Sequence, residues 1–170
     1  MTPISKTLLV VAALAVAGCS NPDRFGAGSG GAGAGAGAYG MDGSASDPRS
    51  VAYFNQTVGD RVLFEVDQSS LTATARATLE AQARWMIDNT EYSATIEGHA
   101  DEQGTREYNL ALGARRANAV QEYLVSRGVS PNRLRTVSYG KERPIEICSE
   151  ESCYAQNRRA VTVVAAGAGV

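Results

Sequence analysis

Between Ile96 and Val120 the chain reads IEGHADEQGTREYNLALGARRANAV, which gathers His99, Asp101, Glu102, Arg115 and Arg116 into one short span. Three chemistries are open to such a set. A metal site needs three or four ligands at fixed spacing, and the chain holds a single histidine. His99 is therefore read as a packed, hydrogen-bonded residue at a strand end. Glycosidic cleavage needs a matched pair of carboxyl groups, and Glu97, Asp101 and Glu102 could supply them. An arginine beside a carboxylate, however, favours its charged form, the opposite of what a general acid requires. The third chemistry is recognition. A carboxylate and a guanidinium held a few ångströms apart complement a zwitterion, with Asp101 accepting an ammonium and Arg116 gripping a carboxylate through two parallel hydrogen bonds. From spacing alone the favoured reading is a structural salt bridge between Asp101 and Arg116.

The elements around these residues follow from periodicity. Arg61–Val66 (RVLFEV) is rich in β-branched and aromatic residues and predicts a strand. A helix is predicted from about Thr72 to Asn89, with Leu71, Ala75, Leu79, Ala83 and Met86 on one face. Ser93–Gly98 predicts a second strand, and the turn HADEQGT leads to Thr105 as the cap of a helix running to Arg127. The inner stripe of that helix is read as Leu110, Ala114, Ala117, Gln121 and Leu124. Asn109 and Arg116 lie about 20° apart on a stripe about 100° from its centre, so Arg116 is expected to flank the core. Gly128 suits the left-handed position after the helix, with Pro131 beyond it. Leu134–Gly140 and Ala160–Ala165 predict two more strands. The order β-α-β-α-β, a connection, then β implies a two-layer α/β (α+β) sandwich: a four-stranded sheet with two main helices on one face, the second and third strands joined by a parallel crossover. Trp85, Tyr92, Tyr108, Tyr123 and Tyr139 are read as packing residues, and Arg115 as a solvated one.

The first fifty positions differ in kind. The chain has 170 residues and a net charge of −2. That charge carries no basic excess of the sort nucleic acid calls for. Lys6 followed by Leu8–Val16 (LLVVAALAV) is too short an apolar run to span a bilayer and suits a signal peptide over positions 1–18. VAGC, ending at Cys19, resembles a bacterial lipobox. The resemblance implies lipidation of the Cys19 sulfur and cleavage after Gly18, giving an acyl anchor that holds firmly. Ser20 after the cysteine favours the outer membrane, with the protein facing the periplasm. Removing Cys19 from a total of three cysteines leaves Cys148 and Cys153 in CSEESC, where an oxidising compartment predicts a local disulfide. Positions 19–50, rich in Gly, Ala and Ser, are read as a lipidated start and a flexible tether, leaving 51–170 as the domain.

The stretch EGHADEQGTREYNLALGARRANAVQEYL closely resembles the signature of the OmpA-like domain family, and within it the peptidoglycan-associated lipoproteins. VSYGKERP, NRRAV and FEVDQSSL resemble further elements of that family, over roughly residues 60 to 165. The resemblance implies an OmpA-like β-α-β-α-β-β domain and non-covalent binding of peptidoglycan through meso-diaminopimelate, with no cofactor and no catalysis. Asp101 would take the ammonium and Arg116 the carboxylate. Phe64 to Asp67 would add contacts from the first turn. Asn109 and Leu112 would line the helix side, and Arg158 or Arg159 of NRR would support the site. Glu65 departs from the usual aspartate, so no role is carried over to its side chain. The resemblance further implies membership of the Tol–Pal system, with TolB a partner whose surface overlaps the wall-binding site. A protein-docking module that does not bind the wall, or an enzyme acting on peptidoglycan, are the competing readings.

Overall fold

The computed structural model describes residues 43–166. The signal segment, Cys19 and the Gly/Ala-rich tract lie outside the described residues. After a short helix α1 (Val51–Tyr53) and a π-helical turn (Phe54–Gly59) come β1 (Arg61–Leu63), α2 (Ala73–Asp88), β2 (Tyr92–His99), α3 (Arg106–Ser126), β3 (Leu134–Gly140), α4 (Glu151–Asn157) and β4 (Arg159–Ala166). The sheet runs β1-β4-β2-β3. β2 and β3 are parallel, as their joining helix requires, and β4 pairs antiparallel with β1 and β2. The expected α+β sandwich with a mixed four-stranded sheet is the fold observed.

Strand alternation decides the layers. Val62, Ala94, Ile96, Ala160 and Val164 point to one face and share a single core with Leu79, Met86, Val120 and Leu124 of the helices. Both main helices start on threonine caps. Thr72 accepts from the Ala75 amide at 3.1 Å and Thr105 from the Tyr108 amide at 3.2 Å. The carbonyl end of α2 is gripped by Arg133, which donates to Met86, Asn89 and Tyr92 carbonyls at 2.7–2.8 Å. Buried Gln82 joins three elements, donating to the Gly59 carbonyl at 2.6 Å and accepting from Thr162 Oγ1 at 2.8 Å. Trp85 packs between Phe54 and Tyr92 with ring centroids 4.8 and 5.0 Å apart.

Four sequence expectations change. The first strand stops at Leu63 rather than Val66, because the chain turns out of the ladder through Asp67, whose φ is 57°. The inner stripe of α3 is Asn109, Leu112, Gly113, Arg116, Ala117, Val120 and Leu124, whereas Leu110 is 47% exposed. Two polar residues that find backbone partners rotate the buried face away from the stripe hydropathy selects. Part of the expected tether is folded: Ser50 caps α1, the Trp85 indole donates to the Pro48 carbonyl at 2.7 Å, and the Tyr92 hydroxyl donates to the Arg49 carbonyl at 3.0 Å. The connection before β4, for which no helix was expected, contains α4.

Helix α3 approaches the sheet unusually closely. A Cβ on Gly98 would sit 1.9 Å from the Gly113 carbonyl oxygen, and one on Gly113 would sit 2.4 Å from Ser138 Oγ. Ser138 in turn donates to the Leu110 carbonyl at 2.6 Å. Gly98 and Gly113 are thus the pair of positions that let the helix carry its side chains to the end of β2. We expect Gly98→Ala to destabilise the domain by about 3 kcal/mol or more, the upper end of overpacking costs. That is a fall in Tm of roughly 10 °C or more for a domain of this size. Urea unfolding of the variant checks it, and wild-type stability would contradict this helix–sheet contact.

Candidate functional site

The site forms where β2 ends. Asp101, 8% exposed, lies in the turn between β2 and α3. One oxygen, Oδ1, accepts from the Gln103 amide at 3.2 Å, which bends the turn locally. The other, Oδ2, accepts from Arg158 Nη1 at 3.2 Å. Asn109 holds the same turn from the helix, donating through Nδ2 to the carbonyls of Asp101 at 3.2 Å and Gln103 at 2.8 Å. Lys141 adds a tie from the end of β3, donating to the Gly104 carbonyl at 2.7 Å. Gly104 has φ of 91°, a conformation that favours glycine.

Arg116 is fully buried. Its Nε donates to the Gln68 carbonyl at 2.8 Å, Nη1 to the His99 carbonyl at 2.8 Å and Nη2 to the Glu65 carbonyl at 3.1 Å. The guanidinium carbon also lies 5.2 Å from the centroid of the Phe64 ring. Burial pulls its pKa down to about 10, against the attraction of Asp101, so the group stays charged at neutral pH. The guanidinium has five N–H donors. Three meet carbonyls, which leaves one hydrogen on each terminal nitrogen.

Asp101 and Arg116 are therefore brought to one place without being paired with each other. The structural salt bridge is Asp101–Arg158 instead. Arg158 also donates through Nη2 to Glu151 and through Nε to the Phe64 carbonyl at 3.3 Å. Of the two candidate arginines in NRR, Arg158 belongs to this cluster. Arg159 starts β4, is turned elsewhere, and donates to the carbonyls of Asn157 at 3.3 Å and Arg143 at 3.1 Å.

Beside these groups is a cavity of about 170 Å³ lined by Val66, Asp67, Asp101, Gln103, Gly104, Tyr108 and Leu112. The expected residues Asp67, Asp101 and Leu112 line it. Phe64, Asn109 and Arg116 are buried and do not line it, and Glu65 takes part through its carbonyl alone. Val66 belongs to the first turn expected to contribute, Gln103 was not singled out from sequence, and Tyr108, read as a packing residue, is 43% exposed. Tyr108 sits across the rim and donates from its hydroxyl to Asp67 Oδ1 at 2.8 Å, a bond that raises its pKa. Its signal was present: Tyr108 falls in the first turn of α3, three residues after the cap. Arg115 is exposed, as expected, with its guanidinium carbon 5.9 Å from the Tyr108 ring centroid. Larger cavities sit elsewhere. The one of about 500 Å³ beside Trp85 is lined by Arg49, Arg84 and Asp88 among others, whereas the charged groups lining this one are the carboxylates of Asp67 and Asp101.

A sequence profile of the OmpA family matches residues 63–158. The chain belongs to the OmpA family. It is 52% identical over 162 residues to a peptidoglycan-associated lipoprotein of Rhizobium meliloti, covering 95% of this chain and 88% of that protein. It is 44% identical to the one from Pseudomonas aeruginosa, with coverages of 94% and 96%. The crystal structure of the peptidoglycan-associated lipoprotein from Burkholderia pseudomallei superposes with a TM-score of 0.63 at 36% identity, over 71% of this chain and 98% of that one. The C-terminal domain of Helicobacter pylori MotB shares the fold, with a TM-score of 0.59 at 23% identity. The resemblance read from EGHADEQGTREYNLALGARRANAVQEYL thus holds across most of the chain.

The disulfide between Cys148 and Cys153 is formed, with Cα atoms 5.9 Å apart. His99 is 1% exposed and packs on Tyr139 at 5.6 Å, but contrary to expectation neither ring nitrogen has a hydrogen-bond partner. Its Nε2 is 3.7 Å from Glu97 Oε2. Among the described residues no three His, Cys, Asp or Glu side chains converge as metal ligands. Burial, then the charges of Arg159 and Arg143, lower the His99 pKa to about 4. A base whose folded pKa lies below its unfolded value is held neutral by the fold. Its stabilising contribution is complete above pH 6.5 and is lost as the pH falls through 4. Over that window the difference between wild type and His99→Leu should change by roughly 3 kcal/mol, at about 1.4 kcal/mol per pH unit. Urea titrations at pH 7, 5.5 and 4 measure it, and parallel curves for the two proteins would refute the burial of a neutral ring.

Proposed function

We propose that this domain is a binding head for peptidoglycan, which it holds without covalent chemistry by the zwitterionic end of meso-diaminopimelate. The observation that carries the reading is the cavity lined by Asp101, Leu112 and Asp67, together with a buried Arg116 guanidinium that binds the carbonyls of the same turns and is not paired to Asp101. Asp101 receives the ligand ammonium. The two remaining N–H bonds of Arg116, one on each terminal nitrogen, receive the carboxylate as a fork, which an ammonium side chain could not imitate. Leu112 and Val66 supply the apolar wall against the ligand's methylene chain, and Asn109 keeps the turn in place. The relatives named above are peptidoglycan-associated lipoproteins, which supports both the ligand and a non-catalytic role.

The remaining parts of the reading concern where the head works. Positions 1–18 serve as a signal, Cys19 carries the acyl chains, and the Gly/Ala-rich segment spaces the head from an outer membrane whose periplasmic face it occupies. Confinement near a wall of repeated ligands raises the effective concentration, so modest affinity per site suffices. On this reading the protein serves the Tol–Pal system in envelope integrity and division, with TolB docking over the same site in competition with the wall.

Co-sedimentation with purified sacculi tests the core of this proposal. Wild-type head should sediment, while Asp101→Ala and Arg116→Lys remain largely in solution. A loss of at least tenfold in affinity is expected, because truncating one partner of a desolvated charge pair typically costs about 2–5 kcal/mol. Clearing of the sacculi by wild type that depends on Asp101 would instead point to an enzyme. Unchanged sedimentation of folded Asp101→Ala would reject the site.

A further inference from the structure

Arg158 presents a difficulty for the binding site and the structure contains its resolution. Its guanidinium, 4% exposed, donates to the same Asp101 carboxylate that the ligand ammonium would need. A cation already seated on Asp101 competes with a second one. Two cations, Arg116 and Arg158, then lie close to one buried aspartate. The charge that offsets this excess comes from Glu151 in the first turn of α4, which accepts from Arg158 Nη2.

Several contacts hold Glu151 where it can do so. The disulfide joins Cys148 to Cys153 and so closes the chain around it. At the end of α4, fully buried Asn157 accepts from the amides of Ile145 at 2.9 Å and Glu146 at 3.2 Å and donates to the Glu146 carbonyl at 2.8 Å. Arg158 itself is fixed at its backbone, where its carbonyl accepts from the Phe64 amide at 2.8 Å just past the β1–β4 ladder. The result is a relay of alternating charge, Glu151–Arg158–Asp101, with its outer carboxylate exposed and its inner one at the cavity. Burial opposes the charge on Arg158, yet the bonds from Glu151 and Asp101 outweigh it and raise its pKa. A guanidinium bonded to two carboxylates binds each less strongly than it would bind one alone.

We propose that Glu151 is a positioning residue for ligand binding: by sharing Arg158, it keeps Asp101 oriented toward the cavity and leaves its negative charge available to the ligand ammonium. The Cys148–Cys153 bridge acts in the same relay by holding the turn on which Glu151 stands. This inference rests on the assignment of Asp101 to the ammonium, and it adds a determinant outside the cavity. Glu151 touches no ligand. Its effect is confined to ligands that carry a positive charge at that position.

That confinement is the test. Isothermal titration compares a muropeptide carrying free diaminopimelate with the same muropeptide N-acetylated at the side-chain amine. Wild type should prefer the free amine by tenfold or more. Glu151→Gln, at an exposed carboxylate, leaves folding intact and should weaken binding of the free-amine ligand about fivefold while leaving the acetylated one unchanged. Glu151→Asp should recover part of the loss. A Cys148→Ser/Cys153→Ser protein should lose affinity in the same direction, and adding Glu151→Gln to it should weaken binding little further, since both act through one relay. If Glu151→Gln binds the free-amine ligand as wild type does, or weakens both ligands equally, the relay is wrong. Asp101→Asn serves as the separate control: should it retain wild-type preference for the free amine, the binding site itself is misassigned. Should it alone lose that preference, the site stands and only the role of Glu151 falls.

Discussion

The arrangement depends on one buried charge. Arg116 is fully enclosed, and an unpaired ion in that position would cost several kcal/mol. The fold meets that demand with three carbonyl oxygens from two segments: Glu65 and Gln68 of the turn after β1, and His99 at the end of β2. Neither segment could relax without stranding the guanidinium. The residue therefore acts as a rivet between α3 and two loops that have few other reasons to meet. These loops carry Asp67 and Asp101, so the contact that stabilises the region also sets the spacing of the site's carboxylates.

That rivet requires a helix that comes very near the sheet. Gly98 and Gly113 meet with no room for a methyl group on either. With the helix a methyl group farther out, the Arg116 side chain would no longer reach the His99 carbonyl at hydrogen-bond distance. A small residue near the end of the strand and another within the helix thus serve the polar end of the domain. The packing and the binding geometry are one problem.

Much of this was legible in the chain. The Thr105 cap, the parallel crossover through α3 and the Cys148–Cys153 bridge all follow from local patterns with mechanical meaning. What misled the periodicity was the rule that polar side chains lie outside. Asn109 and Arg116 were placed beside the core because a helical wheel weighs side-chain polarity and knows nothing of carbonyl acceptors arriving from distant loops. Leu110 was placed inside for the same reason, though Gly140 packs its backbone against residues 109 and 110 there. The early end of β1 was hidden too: RVLFEV has strand composition throughout, and only a left-handed Asp67 and the need to present carbonyls to Arg116 end the ladder at Leu63.

The adjacent arginines of NRR show how strand geometry settles what composition leaves open. β4 begins at Arg159, and its alternation sends Ala160, Thr162 and Val164 into the core. Arg159 therefore faces the helix-free side, where it lies near His99 and Arg143. Arg158 precedes the strand, still bound to the last turn of α4 through its amide. Its side chain is free of the alternation and turns along the sheet edge to Asp101. Neighbours in sequence thus serve opposite faces, one lowering the proton affinity of a buried imidazole and the other governing the carboxylate at the cavity. The boundary between helix and strand decides which does which.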